Sequence, residues 1–216
     1  MKNLKFLVLL IILALVVLLT TFIIQSYNPS KLMQLEEQKE LMEIAEMKSL
    51  LGEAYTFIQE NELNAAEKRL HLLLRKAPRN ISALQLLGNV YFSQKKYSEA
   101  EKTFRTLVTI DPQRSINYNN LGLSLAAQGK YFEAVPELKK ASILSPELVQ
   151  PHLNLAEIYV KMNHKKAAVN ELKKAFELGR KNNSLTINMT AFEALKDDAE
   201  FRELLQLNST KGEKNE

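Results

Sequence analysis

Cysteine is absent from the 216-residue chain. That removes disulfides, thiolate nucleophiles, cysteine-ligated zinc, iron–sulfur clusters and the lipid-modified cysteine of a bacterial lipoprotein. It leaves the compartment open, because a helical domain of this length needs no covalent staple. Glycine and proline number six each, too few for a loop-rich β architecture. The three histidines, His71, His152 and His164, are scattered. No His-x₃-His pair, no Gly-x-Ser-x-Gly turn and no glycine-rich phosphate loop accompanies them. The sequence therefore predicts no metal, no cofactor and no catalytic residues, and a chain that is not an enzyme. What it does have is apolar residues, 46% of the total, which excludes a disordered chain. The net charge of +4 is spread unevenly.

The first apolar feature is a run of 19 uncharged residues from Phe6 to Ile24, preceded by Lys2 and Lys5. As a helix it is roughly 28 Å long, close to a hydrocarbon core of about 30 Å. Thr20 and Thr21 fit such a helix by bonding their hydroxyls to its own backbone. The two lysines predict a cytoplasmic N-terminus (1–5), a transmembrane anchor (6–24) and everything later on the non-cytoplasmic side, periplasmic in a bacterium. The alternative is a cleaved leader and a secreted protein. The run is long for a signal peptide, and Gln25-Ser26-Tyr27-Asn28-Pro29 offers no small-x-small site.

A period of 34 organises the rest. It relates Pro78, Pro112 and Pro146, and likewise Ala54, Gly88, Gly122 and Ala156. It also relates Ala66, Ala100, Ala134 and Ala168, and the set Asn61, Lys95, Gly129 and Asn163. Leu84, Leu87, Gly88 and Tyr91 form one amphipathic stripe, and Ala100, Phe104 and Leu107 a second. Gly88 suits close approach of the neighbouring helix, and Gly129 or Asn163 a left-handed turn. The residue before each proline leaves helical space. Each unit is thus a helical hairpin, and the series a stacked array. Pro136 falls inside a predicted second helix, where a bend is expected.

These residues resemble the tetratricopeptide repeat family. Leu84, Leu87-Gly88, Tyr91, Ala100, Phe104, Leu107 and Pro112 follow its pattern, as do Tyr118, Leu121-Gly122, Leu125, Ala134, Leu138, Ala141 and Pro146. The outer units are degenerate: Glu53 stands where a Leu is expected, and Arg180 where the proline would be. The resemblance implies four repeats over 47–182 (47–80, 81–114, 115–148 and 149–182), giving an all-α superhelical solenoid behind a transmembrane helix. Residues 25–46, with two Lys against five Glu, read as a helical linker that could pair weakly with a second copy. Residues 183–207 read as a helical cap, with Asp197-Asp198 starting its last helix, and 208–216 as a flexible tail.

The resemblance further implies a concave groove lined by the first helix of each hairpin. At the matched offsets stand Leu51, Tyr55 and Ile58; Gln85, Asn89 and Phe92; Ile116, Asn119, Asn120 and Leu123; and Leu153, Asn154, Glu157 and Lys161. Amides can pair with both the N–H and C=O groups of an extended peptide. A structural alternative is that Asn120 and Asn154, at one repeated offset, hold hairpins together. The family's carboxylate clamp needs a basic set that Leu51, Tyr55, Ile116 and Asn120 do not supply. The four units carry +2, +2, 0 and +4. The basic last unit reads as a solvated face, and no nucleic acid is expected as a partner. The expected partner is a protein or extended peptide segment, held by an interaction scaffold or assembly factor. A structural subunit that binds through other surfaces is the alternative.

Overall fold

Every 34 residues a backbone with positive φ ends one helix and starts the next: Asn61 (60°), Lys95 (61°), Gly129 (78°) and Asn163 (59°). The computed structural model describes residues 2–26, 29–182 and 188–212, without the side chains of 2–6, 9, 24–26, 182 and 207–212. The chain divides into two compact units, Met1–Ser49 and Leu50–Glu216.

In the first unit, α1 (Lys2–Ser26) is exposed along its described apolar side chains. Thr20 and Thr21 donate their hydroxyls to the carbonyls of Val17 and Leu18, both at 2.9 Å. Among the described residues no helix is long and apolar enough to cross a membrane. Phe6, Leu9 and Ile24 belong to the predicted anchor but lie outside the described side chains. The membrane-spanning reading of 6–24 therefore stands on hydropathy alone. Helix α2 (Pro29–Gln59) begins in this unit, and its residues from Leu50 onward belong to the second.

The second unit is a ladder of hairpins. After the end of α2 come α3 (Leu63–Lys76), α4 (Ile81–Ser93), α5 (Tyr97–Ile110), α6 (Ser115–Ala127), α7 (Tyr131–Leu144), α8 (Val149–Lys161) and α9 (Lys165–Asn182). Each left-handed turn is closed by two backbone bonds. At Lys95, for example, its own N–H reaches the Phe92 carbonyl (3.0 Å) and that of Lys96 reaches Tyr91 (2.8 Å). These bonds satisfy carbonyls that the helix end would leave unpaired. The other break is set by proline: Ala77, Asp111 and Ser145 precede Pro78, Pro112 and Pro146 and have φ of −131°, −132° and −140°. Pro136 lies within α7 and does not break it. It is exposed, on the solvent face where water can satisfy the carbonyl one turn earlier.

Within a hairpin the small residue of the first helix receives a large residue of the second. A Cβ added to Gly88 would lie 2.6 Å from the Phe104 ring, and one on Gly122 would lie 2.6 Å from Leu138. The sequence reading expected a backbone to come close here. The Phe104 ring fills the space at Gly88, while Gly122 meets the Leu138 side chain and the Ala134 carbonyl.

The ends explain the degenerate repeats. Leu87, Leu121 and Leu155, at the same offset in the later hairpins, are buried. Among the described residues no hairpin precedes Glu53, whose side chain is 43% exposed and pairs with Arg69 at 2.7 Å. At the other end a 3₁₀ turn (Met189–Leu195) and α10 (Ala199–Gly212) supply Phe192, Leu195, Phe201 and Leu204 to one core with Leu153, Ala156, Leu172 and Phe176. An array end must hide its last apolar face in this way. The Asp198 carboxylate accepts from the Phe201 N–H (3.1 Å), as expected of an N-cap. Helix α10 continues past Leu207 to Gly212, so the backbone read as a tail from 208 is helical at least that far.

Along the hairpin-turn edge, Lys96 bonds Glu67 and, one repeat later, Lys130 bonds Glu101, each at 2.8 Å. Burial alone would raise the Glu101 carboxyl. Hydrogen bonds from Lys130, Arg105 and Gln128 outweigh it and hold the pKa at about 2, against an ordinary 4.5. Because the folded value is depressed, this contribution to stability is present above pH 4.5 and lost as the pH falls toward 2. Glu101→Gln is therefore expected to lower the melting temperature at pH 6. The gap from the unmutated chain should close as the pH approaches 2, and a gap constant with pH would refute the assignment.

Candidate peptide-binding cleft

The first helices α4, α6 and α8 meet through side-chain amides. Gln150 Nε2 donates to Asn154 Oδ1 (3.3 Å) and Asn154 Nδ2 to Asn119 Oδ1 (2.7 Å). Asn119 Nδ2 then donates to Asn120 Oδ1 (3.2 Å), and Asn120 Nδ2 to Asn89 Oδ1 (3.3 Å). The chain of donors runs from the fourth hairpin to the second. Its direction leaves the Asn89 NH₂ at the end of the relay, on an exposed residue. Asn119 and Asn154 are buried, so their bonds are made in a low-dielectric setting where an unmade one is costly. A separate bond joins Gln85 Nε2 to Asn117 Oδ1 (3.3 Å), and among the described residues the buried Asn117 Nδ2 has no partner.

Two depressions open between α4 and α6 and share Asn89 and Asn120. One, about 200 Å³, is walled by Phe92, Phe104 and Leu123 with Ser93 at its edge. The other, about 350 Å³, is lined by Ser82, Gln85, Leu86, Arg114 and Ile116. Neither lining contains a carboxylate, and Arg114 is its one charged side chain. The arrangement offers an apolar pit, amide hydrogen-bonding groups and one cation on neighbouring depressions that share the Asn89–Asn120 pair.

Six predicted groove residues, Gln85, Asn89, Phe92, Ile116, Asn120 and Leu123, are brought together here. Asn119 and Asn154 are instead buried in the relay, and Leu153 is buried in the core with the C-terminal cap. Leu51, Tyr55 and Ile58 sit on the end of α2, outside these depressions; Tyr55 is 55% exposed. In α8, burial pushes the Glu157 carboxyl above its ordinary range against the nearby Lys161 ammonium. Sequence reading missed Arg114, Phe104, Asn117 and Gln150. A signal existed for the amides: bonded partners on adjacent first helices lie 31 to 35 residues apart, about one repeat. A larger depression of about 640 Å³ lies elsewhere, beside the first hairpin turn at Phe57, Lys68, Arg69 and Gln94, and holds no predicted residue.

The histidines have separate partners. His71 Nε2 shares a hydrogen bond with the Tyr91 hydroxyl (2.9 Å), and the His164 ring lies 6.2 Å from that of Tyr159. His152 is buried at its packing position, but it also bonds Glu171 at 2.6 Å. Among the described residues no group of three or more His, Asp or Glu is placed to hold a metal ion.

Stacked helical hairpins with a lined inner cleft define a solenoid of the protein-interaction class. The chain belongs to the tetratricopeptide repeat family, whose model matches residues 57–122 and 125–185. Among curated proteins none matches it in sequence. Among solved structures it is similar to MamA (41-end) from Desulfovibrio magneticus RS-1, with 22% identity and a TM-score of 0.62 over 64% of this chain and 78% of that one. MamA of MSR-1 is 24% identical with a TM-score of 0.58, over 63% and 78%. An O-GlcNAc transferase mutant from Thermobaculum terrenum is 26% identical with a TM-score of 0.56, over 64% of this chain but 26% of that one. The likeness to the MamA structures is one of fold.

Proposed function

We propose that the chain is a membrane-anchored scaffold or assembly factor whose α4–α6 cleft captures an extended segment of a partner protein on the non-cytoplasmic side. The observation that carries the capture is the pair of neighbouring depressions lined by the predicted groove residues. An apolar side chain of the partner fills the pit between Phe92, Phe104 and Leu123. The Asn89 NH₂ meets a backbone carbonyl, and Arg114 favours an acidic neighbour. The anchor rests on the apolar residues from Phe6 to Ile24 with Lys2 and Lys5 before them. A helix that is apolar all round belongs in a buried or lipid setting.

The probes are fluorescent ten-residue peptides with a central Leu or Ala, flanked by Glu or by Lys, titrated with the full chain in detergent micelles. Leu–Glu peptides are expected to bind most tightly. Asn89→Ala together with Leu123→Ser should weaken them at least tenfold, and Arg114→Glu should reverse the Glu-over-Lys preference. Equal binding by all four peptides, or indifference to these substitutions, would sink the cleft reading. For the anchor, a cysteine introduced at Ser98 should react in intact cells with a membrane-impermeant thiol reagent; labelling only after lysis would overturn the topology.

A further inference from the structure

On α7, Phe132 and Ile143 are 82% and 72% exposed. They are 11 residues apart, three helical turns, and so share one face, with Pro136 and Lys139 between them. The fold does not ask for this stripe. At the offsets of Phe132 and Ile143 the other hairpins carry Asn64 and Arg75, Ser98 and Thr109, and Lys166 and Glu177. The stripe also falls on the hairpin with zero net charge, where the others carry +2, +2 and +4.

We propose that this stripe is the docking site for a second copy of the chain, with the two α7 helices packed antiparallel about a two-fold axis. In such an interface the same patch meets itself, so every contact occurs twice. Phe132 of one copy then lies opposite Ile143 of the other, and Pro136 and Lys139 sit near the axis. The charges fit the same symmetry. Glu133 and Lys140 lie on one flank of the stripe, toward opposite ends of the helix. The two-fold therefore sets Glu133 of each copy beside Lys140 of the other. Glu133 can turn to do this, since among the described residues its carboxylate meets only a 3.5 Å approach by Arg105, with both side chains about half exposed. Pairing through the uncharged hairpin also avoids the repulsion that two basic hairpins would meet. A single-helix contact is small, so the association is weak. It leaves the α4–α6 cleft uncovered and does not depend on what that cleft binds.

The absence of cysteine makes the test direct. Lys139→Cys in the full chain, in detergent micelles, is expected to give a disulfide-linked dimer under mild oxidation. Lys173→Cys, at the same offset one hairpin later and paired with Glu200 away from the stripe, is the control for random collision and should not. Phe132→Ser with Ile143→Thr places the second hairpin's own residues on the stripe. It should cut the Lys139→Cys dimer at least tenfold without changing helix content or melting temperature. Glu133→Lys should weaken the dimer, and adding Lys140→Glu should restore it. Cross-linking no greater than in the control, insensitivity to the Ser/Thr replacement, or failure of the charge swap to restore the dimer would each overturn the proposal. Retention of a different protein on the stripe while the chain stays monomeric would do so as well.

Discussion

His152→Leu is expected to lower stability by about 3 kcal/mol, the upper end of the cost of leaving a buried, hydrogen-bonded group without its partner. His152 and Glu171 are 8% and 9% exposed, and the imidazole Nδ1 lies 2.6 Å from the carboxylate. Burial works against charge on Glu171, but the bonds from His152 and from Lys174 (2.9 Å) hold its carboxyl below the ordinary range. Without the imidazole the carboxylate keeps Lys174 alone, at the edge of the last core. The double change His152→Leu with Glu171→Leu should lose less than His152→Leu by itself, because no charge is left stranded. Denaturant unfolding of the three variants checks this, and a double loss equal to the sum of the singles would show that the pair is not coupled. The folded carboxyl is depressed, so the pair's contribution is present above the ordinary carboxylate range and fades as the pH drops through the folded value.

Gly88→Ala is expected to cost about 1–3 kcal/mol, the range for overpacking a filled core. The new Cβ would stand 2.6 Å from a Phe104 ring that is itself 1% exposed, so the ring must shift to admit it. The outer hairpins already show the remedy. Ala54 shares its hairpin with Leu70 and Ala156 with Leu172, and all four are fully buried. Phe104→Leu added to Gly88→Ala rebuilds that alanine–leucine pairing, so the combined loss should be smaller than the sum of the separate losses. Thermal melts of the two single variants and the double decide it. A fully additive result would mean that the ring is not what the glycine accommodates.

The hairpins were legible in the sequence because their signals are local. A left-handed residue at Asn61, Lys95, Gly129 and Asn163, a proline after each of the first three second helices, and a small residue facing a large one all act within a single unit. The cleft was half legible. Asn119 and Asn120 are consecutive on α6, about 100° apart around the helix. One is turned in and the other stays half exposed, and no spacing rule says which. Asn154 depends on how α8 registers against α6, a relation between units and not within one. Leu153 matched a groove offset, but the chain after 188 folds back to share its core, and a repeat offset carries no information about residues beyond the array. Glu53 read as a flaw in the pattern. Its partner Arg69 lies 16 residues on, where only the hairpin's geometry brings them together.

Three of the second helices, α3, α5 and α7, have 14 residues each, and every one is stopped before a proline; α9, with Arg180 in that place, runs to 18. The overrun fills residues 179–182, the four positions at which each earlier second helix gives way to the next hairpin. A duplicated 34-residue unit inserted after Pro146 keeps every downstream junction, whereas one appended after α9 meets no matching stop. Where the imino acid is missing, so is the turn that hands the chain on to a further hairpin.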